Sequence, residues 1–600
     1  MYTLGIYDGH NAGCSLVKEG EVLFSIEEER LSRIKGHDGR RDDCGLPIRS
    51  LRLILDNLNE GIKISKIAIG LQDSIALHKS SLFHWVKDFE DNKNLIKPDI
   101  DNKKIRNKQQ KLEISQNLYC DFPFGTQEHR IKRLIDLIKD FNLSECVIEY
   151  VPHHLAHHAS SWFVANKNKK KSGLAISLDG RGDALSGMVS ICSKDKIKPI
   201  HEISSFNSIG HFYSAITVAL GFKAVKHEGK ITGLAAFGSP DKCLLEKFNK
   251  LIFFNFDLGS ISSDKCLYNE SAPYPWANFK FYVDKFKNIL TGHSKEVIAA
   301  TAQLHLERVV CKFVSFWMAK TKLKDVYLSG GVFSNVKLNQ KISEIENIKS
   351  LIVHPGMTDC GISLGSALYV NRQKSTKIRK NYYLGAPNRH ECINDVISNY
   401  EIKTIKPKNI SQIVAIALKD KKIVARYAGL AEYGPRALGN RSILYHAGDK
   451  SINTSLNKRL SRTEFMPFAP VTIDEDEKKS FKTPKNVDIS ESMKYMTITV
   501  NCTAYMIKNC PAVVHVDKTA RPQIISSKQN YEFYQILKEY KKITGIGSLV
   551  NTSFNLHDEP IVETPEDALR SFIIAGLDLL ILGENLIYKK DVKHLSRKWK

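Results

Sequence analysis

Short apolar runs broken by glycine and polar turns dominate the first part of the chain. TLGIYDGHNAGCSLV, EVLFSIEEER and KIAIGL read as strands and turns that open a mixed α/β domain. CVIEYVPHH and GLAISLDGRGD are two further strands that end in polar turns, separated by the helix-compatible stretch LAHHASSWFVAN. Residues 91–113, DNKNLIKPDIDNKKIRNKQQKLE, carry no sustained period and read as an inserted surface loop or helical hairpin. A composition shift near Thr376–Asn381 separates the helix-like GISLGSALYVNRQ from the strand-like YYLGAP, which predicts domains at 1–378 and 379–600. KKIVARYAG, AVVHVDKTARPQII and GIGSLVNTSFN make the second domain α/β as well. Neither a solenoid-type repeat nor a low-complexity tract stands out.

With 600 residues, 42% of them apolar, the chain can bury several cores. The most apolar late run, Phe572–Leu582, is short and carries Asp578, so no membrane span is expected. The N-terminus lacks the zones of a signal peptide, and a cytoplasmic protein with no membrane partner is expected. Twelve cysteines without a CxxC pair argue against a disulfide framework or a thiolate zinc site. Charge changes the picture more. The 88 Lys and Arg outnumber the 65 Asp and Glu, a formal +23. Such an excess fits a polyanionic partner, and it equally fits a lysine-rich composition that only solvates the surface.

Candidate chemistry gathers at strand ends. VPHHLAHHAS sets His153 and His157 four apart, on one face of a helix, where two imidazoles can chelate one ion or sit without metal. Asp179 in SLDGRGD and Asp359 in HPGMTDCGISLG are further candidate ligands. Imidazoles plus carboxylates suit Fe(II), Mn(II) or Zn(II). LSGGVFSN places Gly330, Gly331 and Asn335 after a strand, which is compatible with a nucleotide or with an ordinary tight turn. In the second domain, EYGPRALGNRS groups Glu432, Arg436, Asn440 and Arg441. HVDKTARPQ adds His515, Asp517 and Arg521, and VNTSFN adds Asn551, Ser553 and Asn555. Fixed arginines give bidentate contacts to phosphate.

Twelve ordered blocks resemble the O-carbamoyltransferase family of nodulation-factor and antibiotic-tailoring enzymes: LGIYDGHNAG, EEERLSRIKG, VPHHLAHHAS, LDGRGD, HFYSAITVALGF, HEGKITGLAAFG, LSGGVFSN, TDCGISLGSA, EYGPRALGNRS, EFMPFAP, HVDKTARPQ, and NTSFN with EPIVETPEDA. The resemblance implies an N-terminal ASKHA-type (actin-like ATPase) carbamoyl-transfer domain and a C-terminal YrdC-like domain. It implies ATP, as its Mg(II) complex, and carbamoyl phosphate as co-substrates, carbamoyladenylate as the intermediate, and a hydroxylated acceptor. His153, His157, Asp179 and Asp359 match the metal ligands, with Fe(II) expected. His10 matches a proton acceptor beside the transfer site, and Lys35, Glu228 and Lys230 match positions lining the same cavity. Arg436, Asn440, Arg521 and Ser553 match nucleotide and carbamoyl phosphate contacts, with His515 and Asp517 nearby. The stretch NKRLSRTEFMPFAP departs from the family pattern at Ser461 and Met466, where Arg459 or Arg462 is the candidate substitute. A homodimer would be in keeping with the family.

The charge excess, the basic residues Lys103, Lys104, Arg106, Lys108 and Lys111 of the insertion, the run Lys167, Lys169, Lys170 and Lys171, and the basic tail make DNA a candidate partner. A hydroxymethylated pyrimidine is then the leading acceptor, with a small sugar or antibiotic-like scaffold as the alternative. Threonylcarbamoyl transfer to tRNA and non-enzymatic nucleic-acid binding are ranked lower.

Overall fold

The computed structural model describes residues 1–39, 45–58, 62–70, 127–165, 172–183, 185–267, 278–372, 381–385, 390–461 and 465–599. The insertion at 91–113, the lysine run at 167–171, Arg462 and most of the 376–381 boundary lie outside them. The chain divides into two compact units, and the division is not a single cut. The first unit comprises Met1–Leu23, Gly36–Ile378 and Asn486–Asp488; the second comprises Phe24–Lys35, Arg379–Lys485 and Ile489–Lys600.

Two five-stranded sheets form around the first unit's strands. One contains β1 (Tyr2–Tyr7), β2 (Gly13–Lys18), β3 (Glu21–Glu27), β4 (Ile64–Gly70) and β5 (Val147–Val151) in the order β3-β2-β1-β4-β5. The other holds β6 (Ser172–Gly182), β7 (Leu185–Ser193) and β8 (Lys196–Ser204). After a separate hairpin of β9 (Ile252–Asn255) and β10 (Ser260–Ser263), it is completed by β11 (Asp325–Ser329) and β12 (Ser350–Val353). Its order is β8-β7-β6-β11-β12, the same as the first sheet once strands are renumbered within each. In both, the first strand pairs antiparallel with the second and parallel with the fourth, and the fourth pairs parallel with the fifth. Asp-Gly recurs near the end of the first strand in each case: Asp8-Gly9 directly follows β1, and Asp179-Gly180 lies in the last part of β6, where the pairing with β7 shifts register between Leu178 and Gly182.

Burial within this unit extends to titratable groups. His305, on the helix Lys295–Thr321, packs against the rings of Phe212 and Phe248 and shares a hydrogen bond with Asn249 (3.1 Å). Burial lowers its pKa from the usual 6.5 to about 3. The unfolded chain therefore takes up a proton below about pH 6.5 that the folded chain refuses until about pH 3, so stability is complete above 6.5 and falls as pH drops through that window. His305→Gln should flatten the acid limb, removing about 2 kcal/mol of the loss between pH 7 and 5. Urea unfolding at both pH values checks this, and equal slopes in the two proteins would contradict it.

The second unit is built on a seven-stranded mixed sheet. Its strands are β13 (Val424–Tyr427), β14 (Arg441–His446) and β15 (Ala469–Ile473), then, after the small sheet of β16 (Phe481–Lys482), β17 (Val500–Cys502) and β18 (Thr519–Ala520), the strands β19 (Gln523–Ile525), β20 (Ser548–Ser553), β21 (Leu579–Leu582) and β22 (Asn585–Tyr588). The order is β19-β15-β20-β14-β13-β21-β22. The helix Tyr531–Thr544 shows why the sequence folds this way. Phe533, Ile536, Leu537 and Tyr540 recur at helical spacing and are buried against Val471, Ile525 and Leu549 of the sheet. Asn530 caps the first turn by accepting from the Phe533 amide (3.1 Å), and Gly545 ends the helix at φ 73°.

Candidate active site

Pro152 is followed by a helix, His153–Ala165, whose four histidines are all buried but face two ways. His154 and His158 anchor it to the second sheet through Ser177 of β6 (2.9 Å) and Ser190 of β7 (2.8 Å). Burial is the main reason both stay neutral, His154 held well below the usual imidazole range and His158 lowered to about 3. His153 and His157 point instead at two carboxylates. His157 Nε2 lies 3.2 Å from Asp179 Oδ2 and 3.6 Å from Asp359 Oδ1; His153 Nε2 lies 3.7 and 3.6 Å from the same two oxygens. One donor atom from each of the four side chains falls within 4.8 Å of the others. Bonds of about 2.1 Å to a common ion would set adjacent donors about 3.0–3.4 Å apart, so the group fits a divalent cation with small adjustments.

The surroundings orient these donors. Asp183, the last residue of LDGRGD, accepts from the backbone N–H of His153 (2.8 Å) and so caps the helix from outside it. Asp179 Oδ1 accepts from the Gly180 amide (2.6 Å), and Asp359 Oδ2 accepts from the buried Tyr7 hydroxyl (2.7 Å). Burial works against charge on His153, yet Asp359, Asp179 and Asp183 lift its pKa to about 9. Burial likewise opposes the Asp179 charge, and the hydrogen bonds from His153 and His157 hold its carboxyl well below the usual range. Together these shifts describe a pocket whose field favours added positive charge, as a cation site requires.

The glycine loop of LSGGVFSN lies against this centre. Gly330 sits at φ 96°, and a Cβ there would come within 2.2 Å of the Leu178 carbonyl oxygen; a Cβ on Gly331 would lie 3.0 Å from Asp179 Oδ1. Asn335 caps the helix Val336–Ser343 and forms a two-way amide pair with Gln303 (2.8 and 3.2 Å). Gln303 accepts from Tyr213, whose hydroxyl also meets Thr232 of the HEGK helix, Glu228–Leu234. In that helix Glu228 accepts from Ser214 and the Val225 amide (both 2.6 Å), and Lys230 is buried with its ammonium 5.9 Å from the Phe222 ring centroid. His10 bridges to Asp38 after β1 and faces Gly36 and the Lys226 side chain. Lys35 belongs to the second unit, where its ammonium pairs with Glu29 at 2.7 Å.

In the second unit, hydrogen bonds lace three of the predicted blocks together. Glu432 Oε1 accepts from the amides of Leu438, Asn440 and Arg441 (2.8–2.9 Å), shaping the loop that carries the half-buried Arg436. Asn551 donates to the Ala437 carbonyl (3.2 Å) and to Gln523 (2.7 Å), and Gln523 donates to the Leu438 carbonyl (2.7 Å). Ser553 ends β20 opposite Ser442 of β14, and Arg521 precedes β19 half-buried. The turn before it is held by Asp517, which accepts from the Thr519 amide (3.1 Å) and hydroxyl (2.6 Å) and lies 3.5 Å from the buried His515.

Models of two carbamoyltransferase regions match the chain, the N-terminus over residues 2–368 and the C-terminus over residues 415–589. The chain belongs to the carbamoyltransferase family. It is 31% identical to an uncharacterized protein of Methanocaldococcus jannaschii, over 98% of this chain and 99% of that one. It is 27% identical to nodulation protein NolNO of Sinorhizobium fredii, over 97% of this chain and 79% of the relative. Among solved structures, HypF of T. kodakarensis overlaps 62% of this chain and 47% of its own at 15% identity, with a TM-score of 0.31.

In this carbamoyltransferase two of the expected phosphate or nucleotide contacts, Asn440 and Asn555, make hydrogen bonds within the second unit. The Asn440 amide donates to the Leu430 carbonyl (2.7 Å) while its oxygen accepts from Arg426 (2.6 Å) and Asn530 (2.8 Å), which makes it a brace for the loop. Both amide hydrogens of Asn555 go to carbonyls of its own turn, those of Leu556 and Glu559. Arg441 is likewise buried on the carbonyls of Ala428 and Gly429 and over the Tyr427 ring. Sequence reasoning did not single out Tyr7, Gln303, Arg426, Gln523 or Asn530. Each is one ordinary polar residue whose role arises from partners distant in the chain. Tyr7 alone had a local signal, since it precedes the first Asp-Gly as Leu178 precedes the second.

Proposed function

We propose that this carbamoyltransferase forms carbamoyladenylate from carbamoyl phosphate and ATP in its second unit and transfers the carbamoyl group to an acceptor hydroxyl in its first. The observation that carries the reading is the convergence of His153, His157, Asp179 and Asp359 in a chain of this family. The repeated strand order of the two sheets favours an ASKHA-type first unit, and the mixed sheet of the second is compatible with a YrdC-like one.

In balanced form, water cleaves carbamoyl phosphate to carbamate and phosphate; a carbamate oxygen then attacks the α-phosphorus of MgATP, expelling pyrophosphate. The acceptor hydroxyl attacks the carbonyl of the resulting mixed anhydride, the bond to AMP breaks, and the hydroxyl proton passes to a base. Arg436 and Arg521 offer planar, permanently charged donors for the phosphates, with Ser553 as a further donor. His10 is the base proposed for the acceptor proton. His153, His157, Asp179 and Asp359 would hold a divalent ion, Fe(II) by family expectation, which when bound supplies Lewis acidity toward phosphate or carbonyl oxygen. Incubation with ATP, labelled carbamoyl phosphate, Fe(II) and hydroxylated acceptors tests the reading directly. Label should appear in an acceptor with release of pyrophosphate and AMP; turnover without pyrophosphate would overturn it.

The formal +23 favours a polyanionic acceptor, and a hydroxymethylated pyrimidine in DNA presents a primary alcohol in the major groove. DNA affinity should then fall steeply with salt, and neutralising Lys103, Lys104, Arg106, Lys108 and Lys111 should flatten that slope. A gain of one carbamoyl mass on hydroxymethylated DNA is expected. Turnover of a small sugar with none on DNA would assign the charge to a solvated surface.

A further inference from the structure

Both carboxylates of the four-residue centre are held by one oxygen and turned inward with the other. Asp179 keeps Oδ1 on the Gly180 amide and presents Oδ2 to the imidazoles; Asp359 keeps Oδ2 on the Tyr7 hydroxyl and presents Oδ1. The Tyr7 contact is built into the fold. Its ring is fully buried at the end of β1, in an apolar cluster with Ala68, Val151, Ala156 and Ile362. A Cβ at Gly9 would lie 2.3 Å from the phenol oxygen, so the chain after β1 passes directly over it. The phenol therefore has little freedom to leave Asp359, and a neutral O–H donor to one carboxylate oxygen weakens that oxygen as a ligand.

We infer that Tyr7 is a positioning residue that restricts Asp359 to single-oxygen coordination and thereby keeps a metal position open for the reacting substrate. The inference rests on the proposed metal role of the four side chains. With one donor atom from each, an ion that takes six ligands has six minus four, or about two, positions left for oxygens of substrate or water. Removing the phenol frees Asp359 Oδ2 to chelate and closes one of them. A merely structural role for Tyr7 predicts the reverse: Asp359 would loosen, affinity would fall, and more water would enter.

Full-length wild type and Tyr7→Phe, loaded with Mn(II) as the probe, separate these outcomes through the number of inner-sphere waters read by water-oxygen relaxation and pulsed electron resonance. About two waters are expected in wild type and one fewer in Tyr7→Phe, with Mn(II) affinity within about tenfold and carbamoyl transfer lowered. An unchanged or increased count in the variant would overturn the role of Tyr7 while leaving the metal centre intact. Failure of wild type to bind Mn(II) would overturn the metal reading and this inference with it. Should Tyr7→Phe not fold, the wild-type count decides, and fewer than two waters overturns the inference.

Discussion

Replacing Arg436 with alanine should lower carbamoyl phosphate-dependent pyrophosphate release by about 100- to 1000-fold, the usual cost of removing a fixed donor from a developing charge. The loop that carries it is held from below by Glu432, Asn551 and Gln523, none of which the substitution touches. The variant should therefore fold, and supplied with preformed carbamoyladenylate it should still carbamoylate the acceptor. Paired rate measurements, one with ATP and carbamoyl phosphate and one with the adenylate, check both halves. Equal loss in the two assays would show that Arg436 serves transfer as well.

The second large effect is expected at the histidine centre. His153→Ala removes an imidazole whose ring meets both Asp179 and Asp359, and leaves the two carboxylates with one partner fewer. Bound divalent metal should drop below detection by elemental analysis, and acceptor labelling should fall at least about 100-fold. The folded state should survive, because the helix remains tied to the sheet by His154 and His158 through Ser177 and Ser190. Full metal content in a folded His153→Ala protein would remove His153 from the ligand set.

Much of the first unit is legible from short-range pattern. Strands ending in YDGHNAG and LDGRGD announce themselves by apolar runs and polar turns, and the i, i+4 histidines predict a shared helix face because 3.6 residues make a turn. What the pattern does not reveal is pairing. That β6–β8, β11 and β12 repeat the order of β1–β5 follows from hydrogen bonds between strands far apart in sequence, and the cue was only a repeated Asp-Gly. Which unit an early segment joins is hidden in the same way. The segment Phe24–Lys35 belongs with residues beyond 379, since Glu27 accepts from the Gly434 amide and Arg30 donates to the Gly434 carbonyl. A motif also hides internal roles: within PRALGNRS, Asn440 donates to the Leu430 carbonyl and Arg441 to the Ala428 carbonyl, contacts that hold the loop and that no local pattern announces.

One assay separates the two chemistries most directly. With Mg(II), carbamoyl phosphate and a labelled acceptor in a single vessel, ATP–pyrophosphate exchange and acceptor carbamoylation are followed together for wild type and His153→Ala. Exchange should continue within about tenfold of wild type while carbamoylation disappears, because the four-residue centre lies in the first unit and adenylate formation is proposed for the second. Loss of exchange in parallel with carbamoylation, in a variant shown to be folded, would contradict that division.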